Sequence, residues 1–166
     1  IGGAGNDVLN GGDGNDSIVA LDGGNDTIEG GAGNDRILIY RPGISGVDTP
    51  LAETVTINAG DGNDTVRVEL DRRSFAPAGQ RTLNVIADLG AGDDVITLYA
   101  REYIEVFPTA QITLGSGRDR VILELTESPR KRHVFRAADV LIPQKQDTIL
   151  EHCRADLGEQ IVIVNG

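Results

Sequence analysis

Residues 2–38 read GGAGNDVLN, GGDGNDSIV, A, LDGGNDTIE and GGAGNDRIL, which are four copies of one nine-residue unit with Ala20 inserted between the second and the third. In each copy, glycines are followed by Asn-Asp, and an aliphatic residue stands two positions after the Asp. Gly, Asn and Asp favour turns because they tolerate positive φ, and the aliphatic position marks a short strand. A fixed period of this kind predicts a solenoid in which each unit forms one turn and one strand.

The unit recurs farther along the chain at wider spacing. Its later copies are AGDGNDTVR at 59–67, LGAGDDVIT at 89–97, LGSGRDRVI at 114–122 and a degraded copy that ends KQDTIL at 145–150. The Asp of the unit stands at positions 7, 16, 26, 35, 64, 94, 119 and 147, with gaps of 9, 10, 9, 29, 30, 25 and 28 residues. Two nine-residue units form one coil of about 18 residues. The wider gaps therefore predict coils that keep one turn and replace the other by a loop.

The order of strands and turns assigns each turn to one edge of the solenoid. Strands are predicted at 54–58, 65–70, 83–88, 95–99, 110–113 and 120–125, where β-branched residues alternate with polar ones. The turns at 11–16, 30–35, 59–64, 89–94 and 114–119 then lie on one edge, which we call the regular edge. The turns at 2–7 and 21–26 lie on the second edge, which loops near 41–53, 71–82, 100–109 and 126–133 continue.

Composition and charge restrict the class of protein. The 166 residues include 22 Gly, one Cys, no Met and no Trp, so a core must come from Ile, Val and Leu. The lone Cys153 excludes an internal disulfide. Residues 1–70 hold 12 Asp and Glu against 3 Arg, whereas residues 71–166 hold 14 acids against 12 Lys and Arg, so a counter-ion is needed mainly in the first half. No apolar run reaches 18 residues and no segment resembles a leader, so neither a membrane span nor a secretion leader is expected.

The turns offer oxygen ligands for a metal ion. Backbone carbonyls are left available by the glycine-rich conformation, and the sixth position adds a carboxylate. Ca²⁺ takes six to eight such oxygens at about 2.3–2.6 Å with irregular geometry, whereas Mg²⁺ demands a tighter octahedron and zinc prefers His or Cys. One turn supplies only half of a coordination shell. A calcium site is therefore expected between each turn and its neighbour one coil away.

These nonapeptides resemble the RTX, or haemolysin-type, calcium-binding repeats. The resemblance implies an all-β fold: a right-handed parallel β-roll, or β-solenoid, with calcium-binding turns and with widened coils that carry long loops on one edge in the C-terminal two-thirds. We expect a single domain over residues 1–166. Regular repeats would fill 1–38, widened coils 39–133, and a degraded terminal coil or cap 134–166.

The resemblance also implies ligands, namely alternate turn carbonyls and the aspartates, for about four Ca²⁺ ions. Each site joins three residues of one turn to three of the next turn on the same edge: Gly3, Gly5 and Asp7 with Leu21, Gly23 and Asp26; Gly12, Gly14 and Asp16 with Gly30, Ala32 and Asp35; Gly31, Gly33 and Asp35 with Ala59, Asp61 and Asp64; and Gly60, Gly62 and Asp64 with Leu89, Ala91 and Asp94. Four ions would change the formal charge from −11 to about −3. We hypothesise that the metal-free chain is largely disordered at least over residues 1–35.

The seventh turn departs from the pattern, because Arg118 takes the place of Asn and Arg120 follows Asp119 directly. We hypothesise that a guanidinium replaces the calcium ion here and pairs with Asp94 or Asp119.

Catalysis is not expected from this chain. His133 and His152 are isolated, and Cys153 has no His and Asn or Asp set around it for a nucleophilic mechanism. Asp93 and Asp94 form a pair of acids of the kind that glycosidases use, but within a repeat turn Asp94 is better explained as a calcium ligand and Asp93 as a replacement for Asn. The module is predicted to be non-enzymatic.

Several partners other than calcium remain open. Basic residues of the second edge would form a strip for an anionic polysaccharide or a lipid headgroup if their loops stack: Arg41, Arg72, Arg73, Arg81, Arg101, Arg130, Lys131 and Arg132. Acids in the same loops favour a solvated rim instead. The resemblance implies a secreted or cell-surface bacterial protein exported by type I secretion. The chain would serve as the carrier of an upstream protease, lipase or polysaccharide-modifying domain, or as a scaffold in an adhesin or surface layer. No nucleic-acid partner is expected.

Overall fold

The structure, a computed structural model, describes residues 1–42, 51–71, 81–100, 109–125, 140–141 and 149–151. The regular elements in these residues are all β-strands: β1 (Val8–Asp13), β2 (Ser17–Leu21), β3 (Asp26–Ala32), β4 (Arg36–Pro42), β5 (Leu51–Asp61), β6 (Thr65–Asp71), β7 (Arg81–Asp88), β8 (Val95–Ala100), β9 (Thr109–Thr113), β10 (Arg120–Leu125), β11 (Val140–Leu141) and β12 (Ile149–Glu151). The described part of the chain has no helix with the length and hydrophobicity that a membrane span requires.

Successive strands alternate between two parallel sheets. The odd-numbered strands form one sheet in the order β1-β3-β5-β7-β9-β11, and the even-numbered strands form the other in the order β2-β4-β6-β8-β10-β12. Every described strand pair is parallel. Each coil of the chain adds one strand to each sheet, and the predicted parallel β-roll is confirmed.

The strand register gives the length of each coil. In the even sheet, Ser17 pairs with Arg36, Arg36 with Thr65, Thr65 with Val95 and Val95 with Arg120, so successive coils take 19, 29, 30 and 25 residues. The first coil is built from two nonapeptides and one inserted residue, and the later coils are widened as the spacing predicted. The segments that widen them, at 43–50, 72–80 and 101–108, lie outside the described residues.

The core lies between the two sheets and is aliphatic. Buried and exposed residues alternate along the strands, as in β5, where Val55 and Ile57 are buried and Thr56 and Asn58 are exposed. The aliphatic residue two positions after the Asp is buried in six copies of the repeat: Ile18, Ile28, Ile37, Val66, Ile96 and Val121. In the first copy, Leu9 is partly buried against this core. The predicted Ile, Val and Leu core is therefore present.

The eighth copy of the repeat differs from the prediction by one residue. Ile149 pairs with Arg120, so that Leu150, rather than Ile149, lies opposite Val121. The sequence of this copy lacks the glycines of the others. Its predicted Asp147 and most of the terminal coil lie outside the described residues, and the division of the chain into three regions stays a prediction.

Candidate metal centre

The turns of each edge are stacked one coil above another. On the regular edge, Gly12 pairs with Gly31 and Gly31 with Gly60, and single bridges join Asp61 to Ala91 and Ala91 to Ser116. On the second edge, the N–H of Gly5 donates to the carbonyl of Gly23 at 2.9 Å. The predicted assignment of turns to the two edges is confirmed for the described residues.

Glycine at two positions of each regular-edge turn allows the layers to approach. Gly31 and Gly62 have φ values of +112° and +133°, which residues with a side chain rarely adopt. A Cβ on Gly31 would overlap the carbonyl oxygen of Gly12, and a Cβ on Gly62 would overlap that of Gly33. Two columns of carbonyl oxygens therefore run along the edge, and only glycine fits over them.

Five of the turn aspartates contact the preceding coil through one carboxylate oxygen. Oδ1 accepts the backbone N–H of the equivalent Asp one coil earlier, over 2.7 to 3.0 Å, in five layers: Asp26 from Asp7, Asp35 from Asp16, Asp64 from Asp35, Asp94 from Asp64, and Asp119 from Asp94. These bonds hold the carboxylates in one orientation from coil to coil.

The other carboxylate oxygen is buried and receives no hydrogen bond. Among the described residues this holds for Oδ2 of Asp7, Asp16, Asp35, Asp64 and Asp94. A buried polar group without a partner costs about 1–3 kcal/mol, and a charged one costs more. Repetition of this cost along the turns indicates that a cation belongs there.

For two of these carboxylates, Oδ2 and a carbonyl oxygen of the following coil lie near one common point. A Cβ on Gly11 would be 2.5 Å from the carbonyl oxygen of Gly30 and 2.8 Å from Asp16 Oδ2. A Cβ on Gly30 would overlap the carbonyl oxygen of Ala59 and lie 2.6 Å from Asp35 Oδ2. Oxygens from two coils converge here.

Burial changes the acidity of the later carboxylates. Desolvation raises the pKa of Asp94 to about 6; the hydrogen bond from the N–H of Asp64 opposes this rise, and the nearby charges of Asp64, Asp119 and Asp93 add to it. Desolvation is also the largest cause that raises the pKa of Asp64 and that of Asp119. Carboxylates whose charge is disfavoured by burial and by like charges gain from a bound cation.

Asn side chains join the coils in the opposite direction, which the sequence analysis missed. Asn34 Oδ1 accepts the N–H of Asn63 at 2.7 Å, and the N–H of Asn34 donates to Asn15 Oδ1 at 2.7 Å. Asp93 takes the same place one coil later and accepts the N–H of Arg118 at 2.9 Å. The signal in the sequence is the recurrence of Asn directly before the Asp, which by itself predicts only a turn.

The donor set fits a hard cation bound mainly by carbonyl oxygens. No group of three or more His, Cys, Asp or Glu side chains converges within the described ranges, so side chains alone do not form a site there. Neighbouring strands lie about 4.8 Å apart, which is about twice the Ca²⁺–oxygen distance of 2.3–2.6 Å. An ion between two stacked turns can therefore bind oxygens of both.

All the predicted ligand residues lie in stacked turns, but some of their carbonyls already accept a hydrogen bond. The third-position carbonyls accept a backbone N–H from the preceding coil over 2.7 to 2.9 Å: those of Gly23, Ala32, Asp61 and Ala91. A carbonyl has two lone pairs, so each keeps one for a metal ion. The side chain of Asp61 is exposed, which leaves its carbonyl as the relevant donor.

Asp26 differs from the five aspartates whose Oδ2 receives no hydrogen bond, because its Oδ2 has a side-chain partner. Arg41 Nη2 lies 2.5 Å from Asp26 Oδ2, and Arg41 Nε lies 3.6 Å from Glu53 Oε2. Arg41 is only 5% exposed. Its proposed place in an exposed basic strip is therefore wrong: the guanidinium is turned inwards and paired with carboxylates. Of the other residues of that strip, only the backbone of Arg81 is described.

The guanidinium predicted at the seventh turn to pair with Asp94 or Asp119 does not bond to Asp94, and its pairing with Asp119 stays a prediction. Asp94 Oδ2 receives no hydrogen bond, and the side chain of Arg118 is exposed. The backbone explains this result, since Arg118 stands at the outward-facing fifth position of the turn.

Fold and turns together define a class: a parallel β-roll whose stacked turns present carbonyl and Asp oxygens between successive coils. A family model, that of the RTX calcium-binding nonapeptide repeat in four copies, matches residues 1–23, 18–38 and 55–71. Residues 1–38 and 55–71 thus carry RTX calcium-binding repeats, which supports a calcium-binding repeat module. Comparisons with curated proteins and with solved structures found no match.

Proposed function

We propose that this chain is a structural module that folds as its turns bind Ca²⁺, within a secreted or cell-surface bacterial protein. The observation that supports this most strongly is the repeated buried Oδ2 atom without a hydrogen bond, found in Asp7, Asp16, Asp35, Asp64 and Asp94. In the proposal each of these atoms binds one Ca²⁺ together with carbonyl oxygens of its own turn and of the next. The ion supplies positive charge between the coils, and the chain supplies the oxygens.

The proposed number of ions is five. Four would lie in the layers predicted from the sequence, which follow Asp7, Asp16, Asp35 and Asp64. Asp94 adds a fifth layer, between the turns at 89–94 and 114–119, because its Oδ2 is buried without a hydrogen bond as in the other four. Gly115 and Gly117 keep the positive φ of the earlier turns, so the backbone on the far side of this layer is also of the repeat type.

Ion binding on this scale is large enough to decide whether the chain folds. Each site occupied at about 100 times its dissociation constant adds about 2.7 kcal/mol. Five such sites add about 13.5 kcal/mol, which is comparable with the whole stability of an ordinary domain, about 5–15 kcal/mol. Removal of the ions would also leave the carboxylates uncompensated between the coils. We therefore expect the metal-free chain to lose its ordered turns.

Dependence on calcium would suit a protein that is exported unfolded. Calcium is scarce inside the cell and plentiful outside, so the module would stay unfolded before type I secretion and fold after it. This part of the proposal rests on the likeness to RTX repeats. In that setting the module would carry an enzyme domain of the same polypeptide or act as a scaffold in an adhesin or surface layer.

A calcium titration followed by far-UV circular dichroism, with the bound ions counted by equilibrium dialysis, tests the proposal. We expect a gain of β-structure on addition of Ca²⁺, five bound ions per chain, and reversal by a chelator. Mg²⁺ at the same concentration should not replace Ca²⁺, because it requires a smaller octahedral site. A spectrum that is the same in calcium and in excess chelator would refute coupling to folding, and an absence of bound ions would refute the site.

A further inference from the structure

We infer that Arg41 is the resident cation of the second edge, where its guanidinium takes the place after Asp26 that Ca²⁺ takes after the other turn aspartates. The inference rests on the proposed function and adds to it: one layer of the roll is closed to calcium by a side chain of the chain itself.

The register shows that this layer lacks half of a calcium site. Asp26 pairs with Val55, so a fully buried apolar residue stands where the next turn of the second edge would have its Asp. The backbone nevertheless keeps the repeat geometry, because the N–H of Thr54 donates to Asn25 Oδ1 at 2.8 Å. The stack continues through this layer, but its second carboxylate ligand is missing from the usual position.

Glu53 supplies the missing carboxylate, and Arg41 supplies the cation. The Asp26 and Arg41 side chains are 0% and 5% exposed, the Glu53 side chain is 10% exposed, and the guanidinium lies between the two carboxylates. Asp26 Oδ1 still accepts the N–H of Asp7 at 3.0 Å, as in every other layer. Oδ2 of Asp26 has a guanidinium as its partner, whereas Oδ2 of Asp7, Asp16, Asp35, Asp64 and Asp94 receives no hydrogen bond.

Gly23 is an independent indication that the turn accommodates the Glu53 carboxylate. A Cβ on Gly23 would lie 2.8 Å from Glu53 Oε1. The other turns have a residue with a side chain at this third position: Ala4, Asp13, Ala32, Asp61, Ala91 and Ser116. Glycine occurs there only in the turn that Glu53 covers, which indicates that the space is reserved for its carboxylate.

The position of Arg41 in its sheet also indicates a special role. The alternation of β4 turns Ile37, Ile39 and Arg41 towards the interior, and the next coil has Leu70 in register with Arg41. An aliphatic residue would suit this row, since a buried cation has a desolvation cost. Two buried carboxylates offset that cost. If the cation were removed, the same two carboxylates would face each other and form a latent calcium site.

The test is an ion count on the full chain in saturating Ca²⁺, by isothermal titration calorimetry and equilibrium dialysis. Arg41→Met should bind one more Ca²⁺ than the wild type, and Arg41→Met with Glu53→Gln should return to the wild-type count because the second carboxylate is gone. Arg36→Met, a change at an exposed position of the same strand, is the matched control and should leave the count unchanged.

Each outcome decides the question. A folded Arg41→Met chain with the wild-type count overturns the inference, whereas a wild type that binds no calcium overturns the proposed function instead. If Arg41→Met fails to fold in calcium, Arg41→Lys is the second variant. An Arg41→Lys chain that folds and binds the wild-type number of ions supports a required cation at this point. If Arg41→Lys also fails to fold, Arg41 acts through its packing and the inference is overturned.

Discussion

Asp35 Oδ1 accepts the backbone N–H of Asp16 at 2.8 Å, while Asp35 Oδ2 is buried and receives no hydrogen bond. One carboxylate thus fastens the coil before it by a hydrogen bond and leaves its second oxygen for a cation. Asp64 repeats this relationship one coil later, with its Oδ1 on the N–H of Asp35 at 2.8 Å. The turns are therefore linked in series, and a change in one Asp is expected to affect the layers on both sides of it.

Asp35→Asn should weaken calcium binding while the turn keeps its shape. The amide oxygen can still accept the N–H of Asp16, but the charged oxygen is lost. Because ligand charge controls Ca²⁺ affinity, we expect the affinity of the adjoining sites to fall at least about tenfold, which is about 1.4 kcal/mol. Calorimetric titration measures it. Asp13→Asn makes the same charge change at an exposed residue, and equal effects of the two variants would contradict this assignment.

Gly62→Ala should destabilise the calcium-bound roll. Its φ of +133° is unfavourable for alanine, and the left-handed region costs an L-residue about 1–2 kcal/mol. The added Cβ would also overlap the carbonyl oxygen of Gly33. A loss of about 2 kcal/mol or more is expected in urea unfolding. Gly3→Ala is the control, since a Cβ there meets nothing within 4 Å; a variant at Gly62 no less stable than this control would disprove the steric account.

Asn34→Ala should separate the Asn contacts from metal binding. Asn34 Oδ1 accepts the N–H of Asn63, and loss of this bond should cost about 1 kcal/mol with the number of bound ions unchanged. Asn34→Asp keeps an acceptor oxygen, as Asp93 does naturally, and should retain most of the stability. Chemical denaturation of the two variants in calcium makes the comparison. Equal losses in both would show that the oxygen at this position is not what matters.

A fall in pH should raise the stability of the metal-free fold but lower the affinity for calcium. The pKa of Asp94 in the folded metal-free chain is about 6, above its ordinary value of 3.8, so the folded state binds the proton more tightly than the unfolded state. Stability of the metal-free fold should therefore rise as the pH falls from above 6 towards 3.8. Protons compete with Ca²⁺ for the same carboxylate, so calcium affinity should fall through pH 6.

Calcium titrations at pH 7 and pH 5, with circular dichroism in chelator at both, measure the two effects. Asp94→Asn should reduce both dependences on pH. Calcium affinity that is the same at pH 7 and pH 5 would argue against Asp94 as a ligand.

The nine-residue period was sufficient to predict the strands, the two edges and the buried aliphatic positions. Each unit repeats the same turn chemistry, and parallel stacking places equal positions of successive coils in register. Ile37 and Val66, for example, follow Asp35 and Asp64 by two residues, and they are partners in the even sheet. Where the repeat sequence is degraded, as at Ile149, the predicted register differs from the observed one by one residue.

Features that are not periodic could not be predicted in this way. Arg41 comes from the end of β4, and its partners Asp26 and Glu53 lie in β3 and β5 of the opposite sheet. No spacing rule connects these three residues, because their contact depends on Arg41 lying on the buried face of β4. A guanidinium was predicted at the seventh turn, where arginine interrupts the motif, but the buried guanidinium that pairs with a turn Asp is that of Arg41, at a position with no motif.

Ca²⁺ between the coils is proposed to bind Oδ2 of Asp7, Asp16, Asp35, Asp64 and Asp94. A crystal structure grown in millimolar Ca²⁺, with the ions located by anomalous scattering, tests this most directly. We expect an ion within about 2.3–2.6 Å of Oδ2 in Asp7, Asp16, Asp35, Asp64 and Asp94, and a guanidinium but no ion at Asp26. Well-ordered turns in which Asp16 and Asp35 contact no metal would contradict it.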